Sequence, residues 1–152
     1  MRRSLRSAAL LCLVLWLAPP AVQAVLSTEL QKALGDSSFV YISSTRKDGT
    51  LSAPAEIWYF WHDGAVYVGT RPTSWRVKRI KAGRPDARIA VGKVDGPSFM
   101  AVGSLVKDPK TEALLMQTYA TKYPDGWKTH AENFRSGFAD GGRVIVKYVP
   151  KN

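Results

Sequence analysis

The chain has 152 residues, 22 of them basic and 12 acidic, giving a formal charge of +10 at neutral pH, and it contains a single cysteine, Cys12. That cysteine lies in an N-terminal segment that reads as an export signal, so residues 25–152 hold no thiol, and disulfides and thiolate metal sites are excluded there. A domain of this size must be held by its own apolar core, and its basic balance favours an anionic ligand or surface.

The first 24 residues carry Arg2, Arg3 and Arg6, then the apolar run "AALLCLVLWLA", then the small residues Val22 and Ala24. The run is shorter than the ~20 residues a bilayer-crossing helix requires. It predicts a signal peptide over residues 1–24 and an exported protein, periplasmic or secreted. "RRSLR" resembles a twin-arginine signal. Export argues against nucleic acid as a partner of so basic a chain.

"GDS" at 35–37 reads as a helix stop. From Phe39 onward, "FVYISSTR", the Asp-Gly turn of "KDGT", "LSAPAEIWYFW", a second turn at "HDG" and "AVYVGT" predict a meander of three antiparallel strands. Pro54 marks an edge, a bulge or a place where backbone faces a ligand. Next comes "GTRPTSWRVKRIKAGR", residues 69–84, with six basic residues and no acidic one. Thr73 or Ser74 is placed to cap a short helix whose Val77 and Ile80 face inward, and Gly83 and Pro85 end it.

"ARIAVG" and "FMAVGSLV" predict two further strands. Between Asp108 and Tyr123 the apolar positions recur at helical spacing. "YPDGW" breaks that helix, "KTHAENFRSGF" predicts a short second one, and "RVIVKYV" closes the chain as a strand. The fold expected is mostly β, one domain over 25–152 with six antiparallel strands and short helices. Curling the sheet into a nearly closed barrel would remove its edges.

The basic stretch carries the chemistry. Thr70 at a strand end, hydroxyls at Thr73 and Ser74, and the forks of Arg71 and Arg76 are the groups that hold a dianionic phosphate. The plainer alternative is a solvated basic face. Trp75 is placed either to stack on a planar ligand or to cover the helix. His62 and His130 show no metal-ligand spacing, and Ser98 and Ser104 lack a nucleophile-elbow context.

In "STRKDGTLSAPAEIWYFWHDGAVYVGT" and "GTRPTSWRVKRI...PDARIAV", the order of elements resembles the pyridoxamine 5'-phosphate oxidase-like split barrels, which bind FMN or a deazaflavin. The resemblance implies a six-stranded split β-barrel and a homodimer with the cofactor at its interface. It implies a flavin-dependent oxidoreductase of unknown substrate; the alternative on the same scaffold is an exported binding protein, whether flavin carrier, haem binder or cofactor-free. Thr70 and Ser74 match the family's phosphate-touching hydroxyls. Arg76 falls where a phosphate-binding Lys is common, with Lys78 as the second candidate. Ala55, Glu56, Ile57 and Trp58 lie on the strand that passes the isoalloxazine edge, Glu56 departing from the usual basic or neutral residue. Tyr123 and Trp127 are candidates for a wall of the ring or substrate site.

Overall fold

The computed structural model describes residues 24–151; most of the expected signal peptide, and Asn152, lie outside the described residues. Helix α1 (Thr28–Asp36) is capped by Ser27, whose Oγ accepts from the Leu30 N–H at 3.3 Å, and it stops at the expected "GDS". Seven strands follow: β1 (Val40–Ser44), β2 (Ala55–Ile57), β3 (Phe60–His62), β4 (Ala65–Thr70), β5 (Asp86–Val91), β6 (Ser98–Val106) and β7 (Val144–Pro150). Helix α2 (Trp75–Lys81) lies between β4 and β5; α3 (Pro109–Lys122) and α4 (Pro124–Asp140) lie between β6 and β7.

All neighbouring strands pair antiparallel, in the order β2-β1-β5-β6-β7-β4-β3. The two edge strands, β2 and β3, are joined by Trp58 and Tyr59 alone. So short a link forces the edges together and curls the sheet into a split barrel. The expected meander is corrected here: "LSAPAEIWYFW" breaks into β2, which pairs with β1, and β3, which pairs with β4. That break accounts for seven strands where six were expected. Pro54 immediately precedes the edge strand β2, as a residue without an N–H requires. The "HDG" turn has both central residues at positive φ, Asp63 at 44° and Gly64 at 70°, the left-handed pair that suits a two-residue hairpin.

Val40, Ile42, Val66, Val68, Ile89, Val146 and Tyr148 fill the inside of the curl. Alternation along β4 sends Tyr67 and Gly69 to the other face, where Phe60, Leu115, Tyr119, Phe134 and Ile145 bury the helices against the sheet. Each fully buried aliphatic or Phe side chain contributes about 1.5–3 kcal/mol. Helix α4 is longer than "KTHAENFRSGF" suggested because Pro124 starts it; proline lacks only an N–H that the first turn leaves unpaired anyway. Among the described residues no helix is long and apolar enough to cross a membrane.

Leaving the ladder exposes the backbone of the Trp58–Tyr59 link, and α3 satisfies it. The Tyr119 hydroxyl accepts from the Gly69 N–H at 3.2 Å and donates to the Trp58 carbonyl at 2.8 Å. The Tyr123 hydroxyl accepts from the Tyr59 N–H at 3.0 Å and shares its proton between the carbonyls of Ser38, 2.8 Å, and Tyr59, 2.9 Å. Lys122 Nζ donates to the Tyr59 carbonyl at 3.3 Å and sits 3.5 Å from the Tyr59 ring centroid. The split is thus closed by side chains where backbone pairing stops.

Candidate functional site

Following the pairing from β1 through β5, β6 and β7 to β4, the chain direction alternates, so β1 and β4 run the same way and end at the same mouth of the barrel. On each, an inward apolar series ends in a hydroxyl: Val40 and Ile42 lead to Ser44, and Val66 and Val68 lead to Thr70. Ser44 and Thr70, 7% and 9% exposed, are two of the three buried polar residues in the described chain. The barrel's apolar interior therefore becomes polar at this end.

Helix α2 closes the same end. Val77 is fully buried, and Ile80 packs over Gly103, where an added Cβ would lie 2.9 Å from Ile80 Cδ1 and 2.8 Å from the Tyr148 ring. Both inward positions are as the three-residue spacing predicted. Packing them turns Ser74, Arg76 and Arg79 toward the mouth. Between α2, Thr70 and the β1–β2 hairpin lies a cavity of about 350 Å³, to which the hairpin contributes Ser44, Arg46, Ser52 and Ala55.

Three arginines and four hydroxyl side chains line this cavity, with no carboxylate. Arg79 Nη1 donates to Ser44 Oγ at 2.6 Å. Ser74 occupies the cap position of α2 without making the capping bond, and its buried Oγ has no partner; buried Arg76 Nη1 has none either. A buried donor left unmade costs about 1–3 kcal/mol, more when charged. Burial pushes the nearby Tyr148 phenol above its ordinary pKa, and the Arg76 guanidinium pulls it part of the way back. The donor set fits an anionic oxygen cluster such as a phosphate.

Of the residues named from sequence, Ala55, Thr70, Ser74, Trp75 and Arg76 line this cavity. Trp75 stands at its rim, 69% exposed. Lys78 does not line it: its Nζ lies 4.9 Å from the centroid of the Trp75 ring. Arg71 is exposed beside Arg143, whose pKa is lowered by burial and then by the Arg71 charge. Glu56, Ile57 and Trp58 line a second cavity of about 350 Å³ with Phe39, His130 and Arg143. There the Tyr41 hydroxyl donates to Glu56, and the Trp58 ring stacks on Tyr123 at 4.5 Å and 4°.

Trp127 lines neither cavity; its ring centroid lies 5.9 Å from that of Tyr119 and 5.4 Å from that of Phe134, which lines the second cavity. Tyr123 likewise serves the split instead of a cavity wall. Ser44, Arg46, Ser52 and Arg79 are cavity residues that sequence reasoning missed. Arg79 had a signal, since it lies one helical turn beyond Arg76. The two serines become neighbours only through the hairpin, where the Ser44 N–H donates to Ser52 Oγ at 3.1 Å. Among the described residues no group of His, Asp or Glu is arranged to hold a metal.

No protein-family model matches the chain, and no curated protein matches it in sequence. Solved structures do match its fold. A candidate pyridoxamine 5'-phosphate oxidase from Listeria innocua superposes with a TM-score of 0.59 at 12% identity, over 82% of this chain and 92% of the other. The haem storage protein HutZ from Vibrio cholerae gives 0.59 at 11% identity, over 84% and 91%. An FAD-binding protein from Mesorhizobium loti gives 0.54 at 16% identity, over 84% and 91%. The fold is that of the pyridoxamine 5'-phosphate oxidase-like split barrels, in agreement with the resemblance read from "STRKDGTLSAPAEIWYFWHDGAVYVGT".

Proposed function

We propose that this split-barrel protein binds the FMN moiety of a flavin-type cofactor, with the phosphate in the arginine-lined cavity, and acts as an oxidoreductase. The observation that carries the reading is the pair of buried, partnerless donors, Ser74 Oγ and Arg76 Nη1, in a cavity without a carboxylate. In this reading Thr70, Ser74 and Arg76 hold the phosphate, and Ala55 at the start of β2 directs the ring along Glu56, Ile57 and Trp58 toward the second cavity. The cofactor supplies hydride chemistry when bound. The protein's part is to fix the phosphate and shape the space beside the ring. A dimer with the cofactor at its interface, and export directed by residues 1–24, belong to the same proposal. A deazaflavin presents the same phosphate and ring system and is the alternative cofactor.

The test is a titration of the purified protein with FMN, followed by cofactor fluorescence, beside Arg76→Ala. Saturable binding that the substitution abolishes is the expected result; equal binding by both proteins removes the cavity from the proposal.

The likeness to a haem storage protein favours one second reading, a binding protein without redox catalysis. His130 lines the second cavity and meets Trp58 edge-on at 5.6 Å, and in this reading it is the imidazole that would ligate haem iron. Haem titration of His130→Ala by Soret absorbance separates the two readings.

A further inference from the structure

Two features of the cavity exceed what one phosphate monoester needs. The first is its charge. A phosphate monoester carries about −1.5 to −2 at neutral pH, whereas the cavity brings three guanidinium groups together with no acidic side chain. Their arrangement is divided. Thr70, Ser74 and Arg76 come from the β4–α2 side of the barrel mouth, while Ser44, Ser52 and Arg46 come from the β1–β2 hairpin across the split. Arg79 belongs to α2 by sequence but reaches the hairpin side, held there by its 2.6 Å bond to Ser44. Each side therefore offers hydroxyls and at least one guanidinium.

The second feature is Trp75. It is the most exposed aromatic among the large hydrophobics at the surface, at 69%, and it stands on the rim of this cavity. Its contacts are cationic: Lys78 Nζ at 4.9 Å and Arg79 Cζ at 5.7 Å from the ring centroid. Packing within the protomer does not account for so open an indole. An aromatic face flanked by cations is a platform for a nucleobase, which stacks on it while an adjoining phosphate meets the cations.

We propose that the ligand is a dinucleotide flavin: one phosphoryl group at Thr70–Ser74–Arg76, the second at the Ser44–Arg46–Arg79 side, and the adenine on Trp75. This rests on the flavin reading above and extends it, because the ligand then carries a diphosphate and a second planar ring. It also gives the hairpin arginine a role that a mononucleotide leaves idle.

The experiment measures the dissociation constants of FAD and of FMN, by isothermal titration, for the unaltered protein, Trp75→Ala, Arg46→Gln and Arg76→Ala. FAD is expected to bind about tenfold or more tighter than FMN, since base stacking alone is worth about five- to a hundredfold and the second charged contact adds to it. The ratio of the two affinities is expected to fall about tenfold in Trp75→Ala, and to fall in Arg46→Gln as well. Trp75 is exposed and Arg46 lies in a turn, so both variants are expected to fold. FAD binding no tighter than FMN, or a ratio unchanged in Trp75→Ala, overturns the dinucleotide. If in that case FMN still binds and Arg76→Ala abolishes it, the flavin reading stands. If neither flavin binds, both fall.

Discussion

At the barrel mouth hydroxyls and guanidinium groups line a cavity with donors left unmet, whereas along α3 three hydroxyl-bearing rings meet nearly every backbone group they approach. Ser74 Oγ and Arg76 Nη1 have no partner. By contrast, Tyr119 and Tyr123 bond four residues of the split between them, Trp58, Tyr59, Gly69 and Ser38, and Tyr59 itself donates to the Leu34 and Ser37 carbonyls at 2.6 and 2.9 Å. Both regions bury polar atoms, yet only one satisfies them. A buried group that is paired holds the fold, and a buried group that is unpaired costs stability unless a ligand completes it.

That difference predicts opposite responses to substitution. The largest effect is expected at Arg76. Arg76→Ala should weaken FMN binding by about 2–5 kcal/mol, a factor of about thirty or more, because it leaves a phosphate charge without its fork. Its urea midpoint should stay close to that of the unaltered protein, since Arg76 Nη1 has no protein partner to lose. A large loss of stability with binding retained would place Arg76 with the structural group instead.

Tyr123→Phe is the mirror case. Removing the hydroxyl strands the Tyr59 N–H and deprives two carbonyls, and should cost about 1–3 kcal/mol in urea denaturation. Ser74→Ala deletes a hydroxyl too, but one that caps nothing. It should leave the stability of the unliganded protein unchanged or raise it, because the deleted hydroxyl is buried without a partner, while lowering FMN affinity about tenfold, the scale of one hydrogen bond to a charged group. If the two hydroxyl deletions cost the same stability, the contrast between the regions fails.

The two regions also differed in how far sequence revealed them. The cavity was half legible. "GTRPTSWRVKRI" places Thr70, Ser74 and Arg76 within seven residues, so local spacing sufficed, and the burial of Val77 and Ile80 fixes which side of α2 faces in. The hairpin half was not, because Ser44, Arg46 and Ser52 reach the cavity through strand pairing and a turn, contacts that no local period encodes. The tyrosine network was illegible for a related reason. "IWYFW" is rich in strand-forming residues, and the break at Trp58–Tyr59 is imposed by the need to cross from one sheet edge to the other. Helical spacing pointed Tyr119 and Tyr123 inward without showing that their hydroxyls serve backbone far along the chain. Trp127 shows the same limit: a tryptophan at a helix turn reads alike in sequence whether it meets a ligand or packs beside another ring such as Phe134.

The effect most particular to the α3 region is its response to pH. Burial lowers the Lys122 ammonium to about 8 from its ordinary 10.5, while burial pushes the Tyr123 phenol up to about 12 from 10. Between pH 8 and 10.5 the unfolded chain keeps a proton on Lys122 that the folded chain has released, so stability should rise with pH across that interval. Below pH 8 both forms are protonated and this contribution is flat. Above pH 10 the tyrosines act in the other sense: their neutral form is favoured in the fold, so stability they contribute at lower pH is lost as the solution passes from 10 toward 12. The expected profile of urea midpoint is a rise from pH 8, a maximum near 10, and a fall beyond it. Lys122→Met should flatten the rise and leave the fall. A rise that persists in the variant would assign it to another group and detach Lys122 from the closure of the split.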